Sequence, residues 1–289
     1  MKTFQQKVAV ITGAGSGIGR ELAIQLAQKG VHIAIADIQE EQLHETANLL
    51  VQYHVTVSTH VLDVSQREAV YRFADDVIAR HKGVHIVINN AGVALSNVQV
   101  NQMAYEDFEW VLGVNLWGVV YGTKAFLPHL LKQSEANLVN TSSLYGLTAV
   151  AKAAAYCTSK FAVRGFTEAL RQELCQTPVA VTVVHPGGIR TCIARNTRPA
   201  TNGDIISNPE HAVQHFEQQA QTSAVDAARL IIEGIRRNTP RVIIGKDAKF
   251  LDLLGRLKPG SYDAFMLKHI VHEDEKAYAA AGKLETSQV

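Results

Sequence analysis

Short apolar runs rich in β-branched residues alternate with longer segments of helical periodicity along most of the chain, and this alternation limits the possible folds. The predicted strands lie at 7–12, 31–37, 55–63, 84–90, 137–143, 179–186 and 241–245. The predicted helices lie near 17–29, 39–52, 66–81, 104–133, 155–176 and 223–237. Most of the strand runs are apolar in succession, which is typical of strands covered on both faces. The pattern therefore predicts an α/β fold with a parallel sheet between two layers of helices.

No linker rich in proline or glycine divides the 289 residues, so we predict a single domain whose main body is residues 1–245. Two regions depart from the alternation. Residues 189–222 are polar, and we expect a loop that ends in a short helix and covers a substrate site. Residues 246–289 are predicted to be a helical C-terminal extension of the same domain, disordered at its end.

The overall charge and composition exclude several classes of function. A formal net charge of +1 and the lack of a basic cluster give no basis for nucleic-acid binding. No apolar run reaches the roughly 18 residues of a membrane span, and a strand follows the N-terminus too soon for a signal peptide. We therefore expect a cytoplasmic protein. Cys157, Cys175 and Cys192 are expected to be buried apolar residues, and no metal site is predicted.

The segment VITGAGSGIGREL, residues 10–22, places four glycines between a predicted strand and a predicted helix. Gly13 allows a tight turn, Gly17 lets a phosphate approach the backbone, and Gly19 lets the helix pack against the strand. A helix that begins near Gly17 directs its unpaired N–H groups at one point, which suits a pyrophosphate. The segment therefore predicts a dinucleotide site.

Asp37 ends the second predicted strand, where its carboxylate can accept hydrogen bonds from both ribose hydroxyls of an adenosine and repel a 2′-phosphate. Neither Ser16 nor Ile38 is basic, so the sequence favours NAD over NADP. The NADP alternative stays open, with Arg20 or another cation compensating for the carboxylate.

Tyr156 and Lys160 are four residues apart on a predicted helix and share one face. An ammonium near a phenol favours the phenolate and lowers its pKa, so the pair can exchange a proton with a carbonyl or alcohol. Ser143 ends a strand at the same predicted crevice and can donate a hydrogen bond to the substrate oxygen. Ser142 is expected to point the other way as a structural hydroxyl. Asn115 lies in an apolar helical run, where an amide is more often hydrogen-bonded to backbone.

These motifs resemble those of the short-chain dehydrogenases/reductases, and in particular their principal subgroup. The matching features are T-G-x-x-x-G-x-G (12–19), Asp63, N-N-A-G (89–92), Asn115, Ser143, Y-x-x-x-K (156–160) and P-G (186–187). The resemblance covers residues 5 to about 245 and implies a Rossmann-like, doubly wound, seven-stranded parallel sheet. It also implies hydride transfer between a nicotinamide cofactor and a carbonyl or hydroxyl group.

The resemblance assigns roles residue by residue. It implies that Tyr156 is the acid/base, Ser143 polarises the substrate oxygen, Lys160 tunes the tyrosine and holds ribose, and Asn115 supports a relay water. The cofactor residues that it implies, together with those predicted from the glycine loop and Asp37, are Gly13, Ser16, Gly17, Ile18, Gly19, Asp37, Asp63, Val64, Asn90, Ala91, Gly92, Tyr156, Lys160, Pro186, Gly187, Ile189 and Thr191.

The residues expected to face the substrate are mostly apolar: Leu95, Leu144, Tyr145, Val150 and Ala153. They favour a secondary alcohol or ketone with an apolar flank, although ordinary core positions explain them equally well. The leading hypothesis is therefore an NAD-dependent alcohol dehydrogenase or ketone reductase. The alternatives are an NADPH-dependent reductase of lipid or acyl carbonyls and a non-enzymatic NAD-binding redox sensor. The resemblance also implies a homodimer or homotetramer joined through the helices near 104–133 and 155–176.

Overall fold

The computed structural model describes residues 1–202 and 209–268. The strands are β1 Val8–Thr12, β2 His32–Asp37, β3 Val57–Val61, β4 Ile86–Asn89, β5 Ala136–Thr141, β6 Val179–Pro186, β7 Ile189–Arg190, β8 Thr222–Ser223 and β9 Arg241–Ile244. The α-helices are α1 Gly17–Ala27, α2 Glu40–Leu50, α3 Arg67–His81, α4 Tyr105–Leu112, α5 Gly118–Leu130, α6 Ala154–Glu173, α7 Pro209–Gln219, α8 Ala224–Arg237, α9 Lys246–Leu257 and α10 Tyr262–Met266.

Seven strands form one parallel sheet in the order β3-β2-β1-β4-β5-β6-β9. Ile11 of β1 pairs with Ile35 of β2 on one side and with Ile88 of β4 on the other. The chain therefore winds outward from β1 in both directions, and a crevice opens between the loops that follow β1 and β4. This confirms the predicted doubly wound sheet with helices on both faces.

Two apolar layers cover the sheet because successive strand side chains point to opposite faces. On one face Ile11 and Ile33 pack in a cluster with residues of α1 and α8, such as Leu22 and Ile231. On the other face Val10 belongs to the cluster formed by α3, α5 and α6. Burial on both faces explains why the strands read as continuous apolar runs in the sequence.

The predicted helix at 104–133 is interrupted. Between α4 and α5 the residues Gly113–Trp117 form a turn of π-helix that contains the buried Asn115. A π-helical turn changes the direction in which a side chain projects, so the side chain can bond to groups outside the helix. Such turns are frequent at functional sites. The amide of Asn115 bonds to Val93 outside the helix, which accounts for the break.

The region after β6 contains the short parallel pair β7 and β8, with α7 between them. Helices α9 and α10 form the described part of the C-terminal extension, and the end that is expected to be disordered, GKLETSQV at 282–289, lies outside the described residues. No helix within the described ranges is long and apolar enough to cross a membrane. Of the three cysteines, Cys157 is buried and Cys192 half-buried, but Cys175 is exposed, so the expectation of burial is wrong there. Cys175 follows α6 in the surface turn that leads to β6.

Candidate active site

A cleft of about 830 Å³ opens at the carboxyl ends of the parallel strands. The loops after β1, β2, β3, β4, β5 and β6 all contribute to its walls. Most of the predicted site residues line it: Gly13, Ser16, Gly17, Ile18, Asp37, Asp63, Val64, Asn90, Ala91, Gly92, Ser143, Tyr156, Lys160, Pro186, Gly187, Ile189 and Thr191. Gly19 and Asn115 are buried and do not line the cleft.

The glycine loop interlocks with the loop after β4. Gly13 has a φ of +66°, and a Cβ there would lie 2.8 Å from the Cα of Ala91. A Cβ on Gly19 would collide with the carbonyl of Gly13. The Thr12 hydroxyl accepts the N–H groups of Asn90 and Ala91, at 3.0 and 3.1 Å. Backbone therefore forms this part of the cleft wall, as binding of a pyrophosphate requires.

Asp37 stands at the end of β2 beside this loop. Its Oδ2 accepts the N–H of Gly15 at 2.8 Å and its Oδ1 accepts the N–H of Gln39 at 3.0 Å. These bonds hold the carboxylate at the cleft wall, and each oxygen retains a lone pair for a further donor. Asp63, two residues after the end of β3, likewise accepts the N–H and hydroxyl of Ser65.

Arg20, the cation nearest in sequence to the glycine loop, is held elsewhere. Its Nη2 donates to Oε2 of Glu45 at 2.8 Å and its Nε donates to the hydroxyl of Thr46 at 2.9 Å. It also donates to the carbonyl of Gly15. The guanidinium therefore joins α1 to α2 and does not line the cleft.

Tyr156 lies in the first turn of α6, and Ser143 directly follows β5. Burial raises the pKa of Tyr156 to about 12, and a side-chain hydrogen bond with Ser143 acts in the opposite direction. The Ser143 hydroxyl also accepts the N–H of Tyr145 at 3.1 Å, which begins a turn of 3₁₀-helix. The structure thus brings together the phenol and hydroxyl that the sequence places at one crevice.

Lys160 lies one helical turn after Tyr156, with its Nζ 5.5 Å from the centroid of the tyrosine ring. The side chain is buried and donates to the carbonyl of Thr141 at 3.3 Å. Desolvation lowers the pKa of Lys160 from 10.5 to about 8. The pKa of Tyr156 is thus raised and not lowered as the sequence analysis expects, because burial of the phenol has the largest effect.

Asn115 acts behind the cleft wall. Its Oδ1 accepts the N–H of Val93 at 2.8 Å, while its Nδ2 donates to the Val93 carbonyl at 3.0 Å and to Ser159 Oγ at 3.2 Å. Ser159 in turn donates to the carbonyl of Tyr156 at 2.7 Å. The amide therefore has the backbone partners that its apolar surroundings predict, and it joins the loop after β4 to the first turn of α6.

The sequence analysis missed His185, which immediately precedes Pro186. Its Nδ1–H donates to the carbonyl of Ser143 at 3.0 Å, and burial lowers its pKa to about 4, so the ring is neutral near pH 7. His185 thus supports the backbone of Ser143 from the next strand. Ser142 donates to the carbonyl of Lys160 at 2.7 Å, as expected of a structural hydroxyl.

The cleft has an apolar end beyond Tyr156. Leu95, Leu144, Tyr145 and Ala153 line it, as expected. Val150 does not, because it packs with Leu144 in a cluster that α9 and α10 complete. The predicted loop at 189–222 contributes Ile193, Asn196, Phe216 and Gln219 to the lining. Further lining residues come from α4, α9 and the loop after β4: Asn97, Trp110 and Leu251.

Comparison with known proteins places this geometry in a family. A model of the short chain dehydrogenases matches residues 7–202. The putative oxidoreductase SadH of Mycobacterium tuberculosis is 45% identical over 265 residues, which cover 91% of this chain and 94% of SadH. The chain is a short-chain dehydrogenase/reductase. It is therefore an oxidoreductase by family, with the Rossmann-like fold described above.

Further relatives of this short-chain dehydrogenase/reductase agree. The probable oxidoreductase EphD of Mycobacterium bovis is 34% identical over 89% of this chain, which spans 44% of that longer protein. A short-chain dehydrogenase/reductase from Burkholderia phymatum, solved in complex with NAD, superposes with a TM-score of 0.82 at 30% identity, covering 90% of this chain and 96% of that one. Levodione reductase, at 24% identity and a TM-score of 0.76 over 85% of this chain and 99% of its own, shares the fold.

Proposed function

We propose that this chain is an NAD-dependent oxidoreductase that interconverts a secondary alcohol with an apolar flank and the corresponding ketone. One observation carries the proposal. Tyr156, Ser143 and Lys160 meet at one cleft that the glycine loop also lines. A proton donor, a hydrogen-bond donor and a buried cation beside a dinucleotide site are the groups that carbonyl–alcohol exchange needs.

Tyr156 exchanges the proton in this proposal. With a pKa of about 12, the phenol is protonated at neutral pH and can donate its proton to a carbonyl oxygen during reduction. In the reverse direction the phenolate accepts the alcohol proton. Ser143 donates a hydrogen bond to the same oxygen, and Lys160, once protonated, favours the phenolate electrostatically.

The residues around the glycine loop fit a bound NAD. Interlocked backbone at Gly13 and Gly19 leaves room for a pyrophosphate, and Asp37 offers a carboxylate to a ribose. When bound, NAD supplies the hydride acceptor and, in its oxidised form, a positive ring. The NAD complex of the Burkholderia phymatum relative supports this choice.

Preference for NAD over NADP is supported by the charges at the cleft. Among the described residues that line it, Lys160 is the single lysine or arginine, and it lies at the tyrosine end. Arg20, the cation that could compensate for Asp37, is engaged by Glu45 and Thr46. An anionic 2′-phosphate beside Asp37 would therefore meet an uncompensated carboxylate. The NADPH alternative would need a cation beside Asp37, and none of the described residues that line the cleft there is a lysine or arginine. The presence of all four candidate catalytic residues disfavours a non-enzymatic sensor.

The substitution Tyr156→Phe tests the proposal. We expect turnover of 1-phenylethanol with NAD to fall by roughly 10²- to 10⁴-fold, because general acid–base catalysis contributes about that much. NAD affinity should stay within a few-fold of the wild type. NADH formation followed by absorbance, with NADP and the polar alcohol sorbitol as parallel substrates, checks both claims. Near-wild-type rates in the variant would contradict the acid/base role, and faster turnover of sorbitol would contradict the apolar substrate.

We also propose that the chain forms a homodimer or homotetramer through the helices on either side of Asn115 and through α6. Trp117 and Phe161 are large apolar residues that are exposed on these helices, and Trp117 stacks on Tyr121. Light scattering of the purified protein gives the mass, and Trp117→Glu with Phe161→Glu should reduce it to that of a monomer.

A further inference from the structure

We propose that Trp110 is a specificity-determining wall of the substrate end, and that Asp107 and Arg198 are positioning residues that fix it there. This inference rests on the proposed function, since it concerns the alcohol or ketone that the cleft accepts. It starts from an ion pair between the fully buried Asp107 and the partly exposed Arg198, which ties the segment 193–201, after β7, to helix α4.

Helix α4 presents one face to the cleft. Asp107, Trp110 and Val114 follow one another at helical spacing, so they lie on the same side of the helix and the turn after it. Trp110 and Val114 line the cleft, and Asp107 is completely buried. Because α4 also packs on α6, this face lies on the side of the cleft that carries Tyr156.

The carboxylate of Asp107 has both oxygens occupied by the 193–201 segment. Arg198 Nη2 donates to Oδ1 at 2.9 Å, and the N–H of Thr201 donates to Oδ2 at 2.7 Å. A buried carboxylate without partners is strongly unfavourable, so Asp107 holds the segment in its docked position.

The same guanidinium covers the tryptophan. Arg198 Cζ lies 4.7 Å from the centroid of the Trp110 ring, which is within the range of cation–π stacking. Arginine, with its planar group, can stack on a ring while it donates to a carboxylate, whereas lysine cannot do both equally well. Arg198 therefore fixes the ring of Trp110 and the charge of Asp107 together.

Backbone bonds hold the segment from the other side. Leu95 and Arg198 form a parallel β-bridge, in which the N–H of Ser96 donates to the Arg198 carbonyl at 2.9 Å and the N–H of Arg198 donates to the Ala94 carbonyl at 3.1 Å. The N–H of Ala200 donates to the Ser96 hydroxyl at 2.9 Å. The segment thus joins the loop after β4, whose Leu95 lines the cleft, to the face of α4 that carries Trp110.

A fixed aromatic wall limits the size of the group that can lie beside it, because a preorganised pocket does not move to accept a larger one. The ring of Trp110 has few alternative positions while Arg198 lies on it. We therefore expect Trp110 to set the size of the apolar flank, and Arg198 to act on the substrate through Trp110 without touching the reacting atoms.

Steady-state kinetics with NAD and two alcohols, 2-propanol and 1-phenylethanol, test the inference. Trp110→Ala should change the ratio of the two kcat/KM values by about tenfold or more, as removal of pocket contacts does. Arg198→Gln should raise the KM for 1-phenylethanol by about tenfold, because a Trp110 ring that is no longer held in place must be ordered again when the phenyl group binds against it, with kcat and the KM for NAD changed far less. Arg198→Lys should recover part of the loss, because it keeps the charge but not the planar stack.

Arg195→Gln is the matched control. Arg195 lies on the same segment and pairs with Glu217 at 2.7 Å, but this pair is solvent-exposed and should contribute little. We expect the KM values of this variant to equal those of the wild type.

A measurement that needs no turnover separates this inference from the proposed function. The chain has two tryptophans, so in a Trp117→Phe background the emission reports Trp110 alone. Arg198→Gln should shift that emission to longer wavelength as the ring becomes exposed, and Arg195→Gln should not. Absence of any alcohol or ketone turnover in the wild type would contradict the proposed function. Unchanged emission in Arg198→Gln would overturn this inference. It would also be overturned if that emission shifts while the KM values of Arg198→Gln and the kcat/KM ratio of Trp110→Ala stay those of the wild type. If Arg198→Gln does not fold, Arg198→Lys serves for both measurements.

Discussion

The Nζ of Lys160 lies 5.5 Å from the ring centroid of Tyr156 and donates a hydrogen bond to the carbonyl of Thr141, 3.3 Å away. The ammonium is thereby held beside the phenol inside the protein, where burial lowers its pKa to about 8. A charge kept out of water in the folded state, and not in the unfolded chain, reduces stability.

Lys160→Met should therefore give a protein that is inactive but more stable at pH 7, by roughly 1–3 kcal/mol. Below pH 8 the unfavourable contribution of the wild-type lysine is fully present. Between pH 8 and 10.5 the folded protein releases the proton before the unfolded chain does. The difference in unfolding free energy between Lys160→Met and the wild type should therefore narrow over this range. Urea unfolding at pH 7 and pH 9.5 measures it, with the exposed Lys124→Met as control. A less stable Lys160→Met at pH 7 would contradict the argument.

Asn115→Ala should destabilise the protein by roughly 1–3 kcal/mol, because it leaves the half-buried N–H and carbonyl of Val93 without their partner. Asn115→Asp keeps the acceptor for the Val93 N–H but places a buried carboxylate oxygen against the Val93 carbonyl, so it should also destabilise the protein. Thermal unfolding of both variants provides the comparison. Equal stability of Asn115→Ala and the wild type would show that the amide is not needed to hold this loop.

Asp37→Ser should weaken NAD binding by roughly 10- to 100-fold, since hydrogen bonds to a charged group contribute about 1.5–3 kcal/mol. NADP binding should improve, because the repulsion of its 2′-phosphate is removed. Fluorescence titration with both cofactors measures the two effects, and Asp37→Asn separates loss of charge from loss of the side chain. Unchanged preference in both variants would contradict the assignment of this carboxylate to the ribose.

Stability should fall as the pH decreases from 6.5 to 4. Burial lowers the pKa of His185 from 6.5 to about 4, so in this window the unfolded chain binds a proton that the folded protein does not. His185 alone contributes up to about 3 kcal/mol by this route, and His81, with a pKa also near 4, adds to it. In His185→Gln the change in unfolding free energy between pH 7 and pH 5 should be smaller. An identical pH dependence in the variant would show that His185 does not contribute to the loss of stability at acid pH.

Much of the fold is readable from the sequence because the strands and helices are long and strongly periodic. Each predicted strand of the sheet overlaps an observed one, and α1 begins at Gly17 as expected. The π-helical turn at Gly113–Trp117 cannot be predicted from the sequence, because it depends on the contact of the Asn115 amide with Val93 in the folded chain.

The candidate site likewise contains residues that the sequence predicts and residues that it does not. Tyr156, Ser143 and the glycine loop stand at the ends of strands or starts of helices, so the sheet brings them together predictably. Asp107 and Arg198 are 91 residues apart, and the residues between them follow no pattern that points to their contact. The pKa of Tyr156 was also beyond sequence reasoning, because burial is a property of the folded site.

The close contacts among Thr12, Gly13, Gly19, Asn90 and Ala91 have a practical consequence for protein engineering. Their backbones touch across two loops, so a side chain added to one displaces the other, and random mutagenesis there should yield mainly misfolded protein. Libraries intended to alter the range of accepted alcohols are better directed to Leu95, Phe216 and Leu251, which line the cleft and take no part in these contacts.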